Sequence, residues 1–322
     1  MTTSPPYASR AQLRQISAAG DHFKSVEDRF LTRKNLEPGE WAVVRLDGHG
    51  FSRWVKRNFP TAKGNNWNSH FELAMSTAAQ AMAETYRPQL VYSFSDEVTM
   101  VFAPHQMPNL NGGRILKLCT LFASAMTAEF ALCSQALRAG AFDDMATFDA
   151  RAFSLSDIES VALNVAWRMS DARRNSVAHW SRQYSSAKEL CGMASVQLIG
   201  YTERKGEPGN RPTPWRMLPS ERQCGRLYSL AQVAKVWSEA DLEDVRRKLP
   251  KFDISNLQER VNDSTGEKEY VITRPAYVPA NQVLQEFCGE NPKTFFEVQD
   301  STIAALSELL AVSSRSKEEQ QQ

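Results

Sequence analysis

Two short acidic signatures sit on strand-like runs. Arg45-Leu46-Asp47-Gly48-His49-Gly50-Phe51 closes the apolar stretch Trp41-Ala42-Val43-Val44, and Ser95-Asp96-Glu97 interrupts two β-rich runs, Leu90 to Phe94 and Val98 to Phe102. An aspartate at the exit of a buried strand and a second at a hairpin tip are placed to converge on a divalent metal. Two metals about 3.5–4 Å apart, bridged by carboxylates, serve in-line phosphoryl or nucleotidyl transfer. Mg²⁺ takes one or two carboxylates plus substrate phosphates, so few protein ligands suffice. The residues alone therefore point to nucleotidyl transfer.

Such residues need a rigid frame, and the chain predicts one. A helix over Asp21 to Arg33 precedes the strand that ends at Asp47. Phe51 to Phe59 mixes Trp and Phe with Arg and Lys. Helical periodicity runs from Phe71 to Tyr86, where Arg87-Pro88 stops it. The Leu90–Phe102 hairpin follows, then a helix from Arg114 to Arg138 and a short strand from Thr147 to Ser154. Ser156 with Glu159 reads as a capping box opening a helix to Ser185. Its apolar face is Ala162, Ala166, Met169, Val177 and Trp180; the opposite face carries Asn164, Arg168, Asp171, Asn175, His179 and Arg182.

Strand, helix, hairpin, helix, strand, helix predicts an α+β fold, an antiparallel ferredoxin-like sheet with helices on one face, as in a polymerase palm. Residues 1–19 read as a flexible arm and 20–232 as the catalytic domain. Residues 233–322 read as a helical and irregular extension with a disordered Ser/Lys/Glu/Gln end. Beyond Thr202, strands are expected over Arg226–Leu230 and Tyr270–Thr273, and helices over Ser238–Arg247 and Ser301–Val312.

Composition excludes rather than identifies. Lys+Arg at 38 against Asp+Glu at 37 gives a net charge of +1, so any RNA contact must rest on a local basic patch. The five cysteines are scattered and form no CxxC pair, which argues against a zinc site or a disulfide framework. With a polar start and no signal peptide, a reducing cytoplasm is the expected compartment. The apolar helix from Ile115 to Leu132 carries Lys117 and Glu129 and reads as a core helix, so no membrane partner is expected.

The motifs together resemble the tRNA(His) guanylyltransferase family, and within it the bacterial-type Thg1-like proteins. Arg45 to Phe51 is similar to the family's R-hydrophobic-D-G-R-G-F, and Ser95-Asp96-Glu97 to its S-D-E. Gly20-Asp21-His22-Phe23-Lys24-Ser25-Val26-Glu27 resembles G-D-R-M-K-x-Y-E, and Phe148-Asp149-Ala150-Arg151 resembles F-D-x-R. Trp167-Arg168, Asp171 and Arg174-Asn175-Ser176 resemble W-R-x-x-D-x-x-K-N-S; Tyr184-Ser185 with Lys188-Glu189-Leu190 resembles Y-S-x-K-E-L. These six signatures stand in order along the chain, within a resemblance that covers roughly residues 20 to 205.

The resemblance implies a palm-type 3′–5′ polymerase that extends an RNA 5′ end, the 3′-hydroxyl of an incoming nucleotide attacking an activated 5′ phosphate. It implies two Mg²⁺ ions held by Asp47, the Gly48 carbonyl and Asp96, with Glu97 as a supporting carboxylate, and GTP and ATP as substrates. Asp47, Gly48, His49, Gly50, Phe51 and Ser52 would cradle a triphosphate, beside Ser95 and Asp96. Lys24, Arg174, Asn175, Ser176 and Lys188 would contact phosphates or the RNA end. The partner is a tRNA or related RNA, and the resemblance implies a homo-oligomer, a tetramer. Arg168 and Asp171 read equally well as a structural pair.

The chain departs from the pattern at several points. His49 replaces an arginine, Arg174 replaces a lysine, Asn65 to His70 erodes a family element, and the eukaryotic H-I-N-N signature is missing. The missing signature argues against a dedicated tRNA(His) role, with 5′-end repair expected instead, and the changes together bear on substrate choice and nucleotide activation more than on the metal chemistry. Two alternatives stand beside that reading: a palm-type nucleotide or nucleic-acid modifying enzyme acting on a non-tRNA substrate, and a non-catalytic RNA- or nucleotide-binding module.

Overall fold

The apolar run beginning at Trp41 makes β1 (Trp41–Gly48) a central strand whose first six residues are buried, as expected of a strand covered on both faces. The architecture is seen in a computed structural model describing residues 10–31, 33–60, 68–137, 144–205, 212–248, 257–262, 264–288 and 300–318. The chain divides into two compact units. One comprises Met1–Ser229 with Pro279–Gln322, and the other comprises Leu230–Val278.

In the first unit the elements are α1 (Arg10–Leu31), β1, α2 (Phe51–Asn58), α3 (Ser69–Tyr86), β2 (Leu90–Phe94), β3 (Glu97–Phe102), α4 (Ile115–Leu137), β4 (Phe148–Leu155) and α5 (Ile158–Tyr184). Short helices α6 (Ala187–Leu190), α7 (Ser195–Glu203) and α8 (Ser220–Gln223) follow, then the opening residues of β5 (Arg226–Ser238). Strand order is β4-β1-β3-β2-β5, every pairing antiparallel. The α+β class and the antiparallel sheet are as predicted.

Register decides which residues meet, because directly opposed residues point the same way. Arg45 pairs with Thr99 and Arg151, and Asp47 pairs with Glu97 and Asp149. The other face carries Val44, Leu46, Met100 and Ala152, with Gly48 opposite Phe148. The α4 helix covers that apolar face, through Phe102–Phe122 at 5.9 Å and Phe130–Phe148 at 5.7 Å between ring centroids. The charged face is covered by α1 and α5. Helices on one face only is therefore corrected: buried Arg45 and largely covered Glu97 need partners that an open sheet face would not supply.

Three boundaries also move. The α1 helix starts at Arg10, so 10–19 is helical rather than a loose arm, and residues 1–9 lie outside the described residues. The cap of α5 is Asp157, whose carboxylate accepts from the Ser160 amide at 2.7 Å. Ser156 instead donates its hydroxyl to Asp157 at 2.6 Å, so the capping box predicted for it does not form. Asn164, expected on the wet face of α5, is 1% exposed.

Among the described residues α4 is the one helix long and apolar enough to cross a membrane. Its buried stripe, Ile115, Leu118, Phe122, Met126 and Phe130, packs on the sheet, as a core helix should. The chain after α5 closes over a cluster of Val177, Trp180, Leu198, Ile199 and Trp215. Helices α10 (Asn281–Cys288) and α11 (Asp300–Glu318) cluster with this unit. The α11 helix packs along α5, and Arg173 donates to the Phe287 carbonyl. Residues 233–322 thus do not form one piece. The second unit holds most of β5, α9 (Glu239–Lys248) and an antiparallel pair, β6 (Gln258–Val261) with β7 (Lys268–Pro279).

Candidate functional site

Five motif segments meet on the charged face. Glu27 of α1 is buried and accepts from Arg45 through both oxygens, at 2.6 and 3.0 Å; Arg151 of β4 donates to the same carboxylate at 3.2 Å. One turn earlier on α1, Phe23 stacks on Trp167 of α5 at 5.7 Å and 21°. Gly20 lies so close to that indole that a Cβ would fall 2.9 Å from its Nε1. Trp167 in turn aims Arg168 at Glu97, where Nε donates to Oε1 at 2.6 Å and Nη2 to Oε2. Arg168 and Arg174 share Asp171, at 3.4 and 2.9 Å.

Beside this network stand the two aspartates. Gly48 donates its amide to the Asp96 carbonyl at 3.1 Å, tying the exit of β1 to the hairpin tip. Gly48 itself cannot be larger, since a Cβ would meet the Phe51 ring at 2.3 Å. Burial first, then the charge of Asp47, pushes the Asp96 carboxyl up to about 6. Like charges on neighbouring carboxylates repel, and a bound cation relieves that repulsion. Glu97 is different: burial pushes its carboxyl up, and the Arg168 guanidinium pulls it back. Its oxygens are engaged by Arg168, so it supports the site rather than standing free in it.

A cavity of about 280 Å³ opens here, lined by Asp47 and Glu97 from the strands, Arg45 and Arg151 beside them, and residues of α1 and α5. It gathers five cations (Lys24, Arg45, Arg151, Arg168, Arg174) and four carboxylates (Asp21, Asp47, Glu97, Asp171). A small polar cavity of that charge suits a polyanion accompanied by a cation.

The comparisons with known proteins meet at this segment. The family described as Thg1, tRNAHis guanylyltransferase, matches residues 20–156. Over those residues the chain is similar to that family. A tRNA(His) guanylyltransferase of Neurospora crassa is 27% identical over 166 residues, 49% of this chain and 54% of that protein. The chain thus spans about half the length of the curated relative it matches. A bacterial Thg1-like protein solved in complex with ATP is similar at TM-score 0.54 and 24% identity, covering 65% of this chain and 87% of that one. The tRNA(His) guanylyltransferase of Saccharomyces cerevisiae is similar at TM-score 0.53 and 20% identity, covering 63% and 91%. These two likenesses show the fold.

The remaining tRNA(His) guanylyltransferase-like positions fall into three groups. Lys24 and Arg174 line the cavity with Asp47. His49, Gly50 and Ser52 are exposed around the start of α2, where Gly50 takes φ +67° and His49 donates its amide to Thr147 at 2.8 Å. Ser95, at φ +53°, bonds Asp96 at the hairpin tip. Asn175 and Lys188 are exposed and do not line the cavity.

Two positions are corrected. Ser176 is fully buried, donating to the Arg222 carbonyl and accepting from Trp215 Nε1 at 3.0 Å, so it cannot reach a nucleotide. The Phe51 side chain belongs to the core with Trp54, Phe130 and Phe148, leaving only its backbone for a ligand. Trp54 is likewise core, donating to the Asp144 carbonyl at 3.0 Å; residues 65–67 of the eroded element lie outside the described residues.

Glu27 and Arg151 were given no role by sequence reasoning, although both sit inside recognised motifs. The missing signal was register: nothing local says that Arg45 and Arg151 are opposed across β1 and β4. Among the described residues no group of three or more His, Cys, Asp or Glu could hold a metal. The candidate ligands are the Asp47–Asp96 pair and the Gly48 carbonyl, a hard-oxygen set of the size Mg²⁺ takes alongside substrate phosphates.

Proposed function

We propose that the protein is a Mg²⁺-dependent nucleotidyltransferase that adds nucleotides to the 5′ end of a tRNA or related RNA in the 3′–5′ direction, on a polymerase-like palm. The observation that carries this reading is the closure of five separated motif segments around one cavity that contains Asp47 and Glu97, with Asp96 alongside. Asp47, Asp96 and the Gly48 carbonyl would hold Mg²⁺: the Asp47 charge raises the proton affinity of Asp96, and a hard-oxygen pair coupled in that way suits a divalent cation. When bound, the metal supplies charge neutralisation and a lowered hydroxyl pKa for in-line transfer.

The chain's own residues do the rest. The backbone from Gly50 to Ser52, at the start of α2, offers amides to a triphosphate, while the Gly48 and His49 amides hold the loop in place. Arg168 neutralises Glu97 and so keeps a third free carboxylate out of a site meant for phosphates. Lys24 and Arg174 add positive charge where a polyphosphate would lie. GTP and ATP are the proposed nucleotides, and 5′-end repair the proposed role; assembly into tetramers and a cytoplasmic location belong to the same proposal. Incubation with a 5′-triphosphorylated, truncated tRNA, labelled nucleotides and Mg²⁺ should lengthen the RNA at its 5′ end. No extension at any 5′ end, with the protein folded and Mg²⁺ present, would overturn the proposal.

A further inference from the structure

With a net charge of +1, the chain can hold an RNA backbone only through a local excess of positive charge. Several surface cations are neutralised by carboxylates nearby, as in Lys205–Glu189, Lys248–Asp244 and Lys268–Glu259. The α2 helix is built differently. Between Phe51 and Asn58 it carries three cations, Arg53, Lys56 and Arg57, and no carboxylate. All three are exposed, and spacings of three and four from Arg53 put them on one helical face. Arg57 is shared with Asp144 at 2.5 Å, whereas Arg53 and Lys56 make no ion pair among the described residues.

The other face of α2 is closed. Phe51 packs on Phe130 and Phe148, and Trp54 packs on Phe130 and Phe59. A basic amphipathic helix lies on a membrane by inserting its apolar face, and here that face belongs to the core. The same packing leaves no ring of α2 to stack a base. What remains exposed suits phosphates, contacts that position a nucleic acid without reading its sequence. Position supplies the partner: α2 begins three residues after Gly48, whose carbonyl is a candidate Mg²⁺ ligand, and its eight residues cover about 12 Å. An RNA entering that site by its 5′ end must lay its following phosphates over neighbouring surface. We propose that the exposed face of α2, through Arg53 and Lys56 with Arg57 beside them, docks the phosphate backbone of the substrate RNA whatever its sequence. This rests on the nucleotidyltransferase reading and deepens it, giving the RNA a surface outside the charged cavity, which no α2 residue lines.

The test uses the full chain at fixed Mg²⁺ and measures binding of a 5′-triphosphorylated RNA stem and of GTP across a salt series. The double variant Arg53→Gln/Lys56→Gln should weaken RNA binding about tenfold or more at low salt. It should also lower the slope of log affinity against log salt by about 1 to 2, roughly one for each phosphate contact removed. GTP affinity and kcat at saturating RNA should not move, and two stems of unrelated sequence should lose equally. Arg53→Lys/Lys56→Arg, which keeps the charge, should keep both affinity and slope. Lys117→Gln removes an exposed cation near the start of α4 and should bind RNA as the wild type does. Unchanged RNA affinity and slope in the Gln double variant overturn the proposal, as does a loss confined to one stem sequence or an equal loss in Lys117→Gln. Each of those results leaves the nucleotidyltransferase reading standing. Failure of the wild type to bind RNA overturns both. Because Arg53 and Lys56 are exposed, the variants are expected to melt with the wild type, which a thermal scan checks.

Discussion

The two faces of one sheet do opposite work. On β1, Val44 and Leu46 point into an apolar layer closed by Phe122 and Phe130 of α4, while Arg45 and Asp47 point into a layer of ion pairs under α1 and α5. Successive residues of a single strand thus serve stability and chemistry in turn. The apolar side tolerates no void, because its contribution comes from close packing. The charged side tolerates no missing partner, because an uncompensated buried charge is costly. Its aspartates are the exception: they repel each other when nothing lies between them, and that is the mark of a site built for something else.

Substitutions should separate the faces. The largest effect is expected from Asp47→Ala, which should abolish 5′-end extension by about 10³-fold or more while leaving the urea midpoint nearly unchanged. Phe130→Ala, on the opposite face, should lower unfolding free energy by about 3–5 kcal/mol through the cavity it leaves in the aromatic cluster. Glu27→Ala strands Arg45 beneath α1 and should cost about 3–5 kcal/mol, comparable to the core truncation though on the charged face. If Glu27→Ala were neutral, the charged layer would not be a structural layer at all.

A smaller effect of opposite sign is expected at Asp96. Its carboxyl holds a proton to about 6 in the folded chain, against 3.8 ordinarily. Between those values the folded state binds more protons than the unfolded one, so stability falls as pH rises through them. Asp96→Asn should remove that slope and stabilise the protein at pH 8 by about 1–3 kcal/mol, while losing extension activity. Urea melts at pH 4 and pH 8 read the sign. The smallest effect is expected for Lys188→Ala, an exposed side chain away from the cavity, at about 0.5 kcal/mol or less in stability.

Much of this was legible in the chain. The strand ending at Asp47, the hairpin at Asp96 and the long helices follow from apolar periodicity and from Pro and Gly punctuation. The ordered motifs indicated that Gly20, Arg45, Glu97, Arg151 and Arg168 share a purpose. What they do for one another was not legible, because it depends on pairing between segments 18 to 124 positions apart. Ser176 shows the converse error: it sits beside Arg174 in a motif, but two residues along a helix is a turn of about 200°, which moved it from the cavity to the core. The shift of α5's cap from Ser156 to Asp157 is a local competition that a pattern of residue types cannot rank.

The most direct measurement maps the 5′ ends of a triphosphorylated, truncated tRNA after incubation with nucleotides and Mg²⁺, side by side for wild type and Asp47→Ala. New nucleotides at the 5′ end with wild type, and none with Asp47→Ala or after chelation, is the expected result. Extension that survives loss of Asp47, or an unchanged 5′ end with folded wild type, would contradict the central claim.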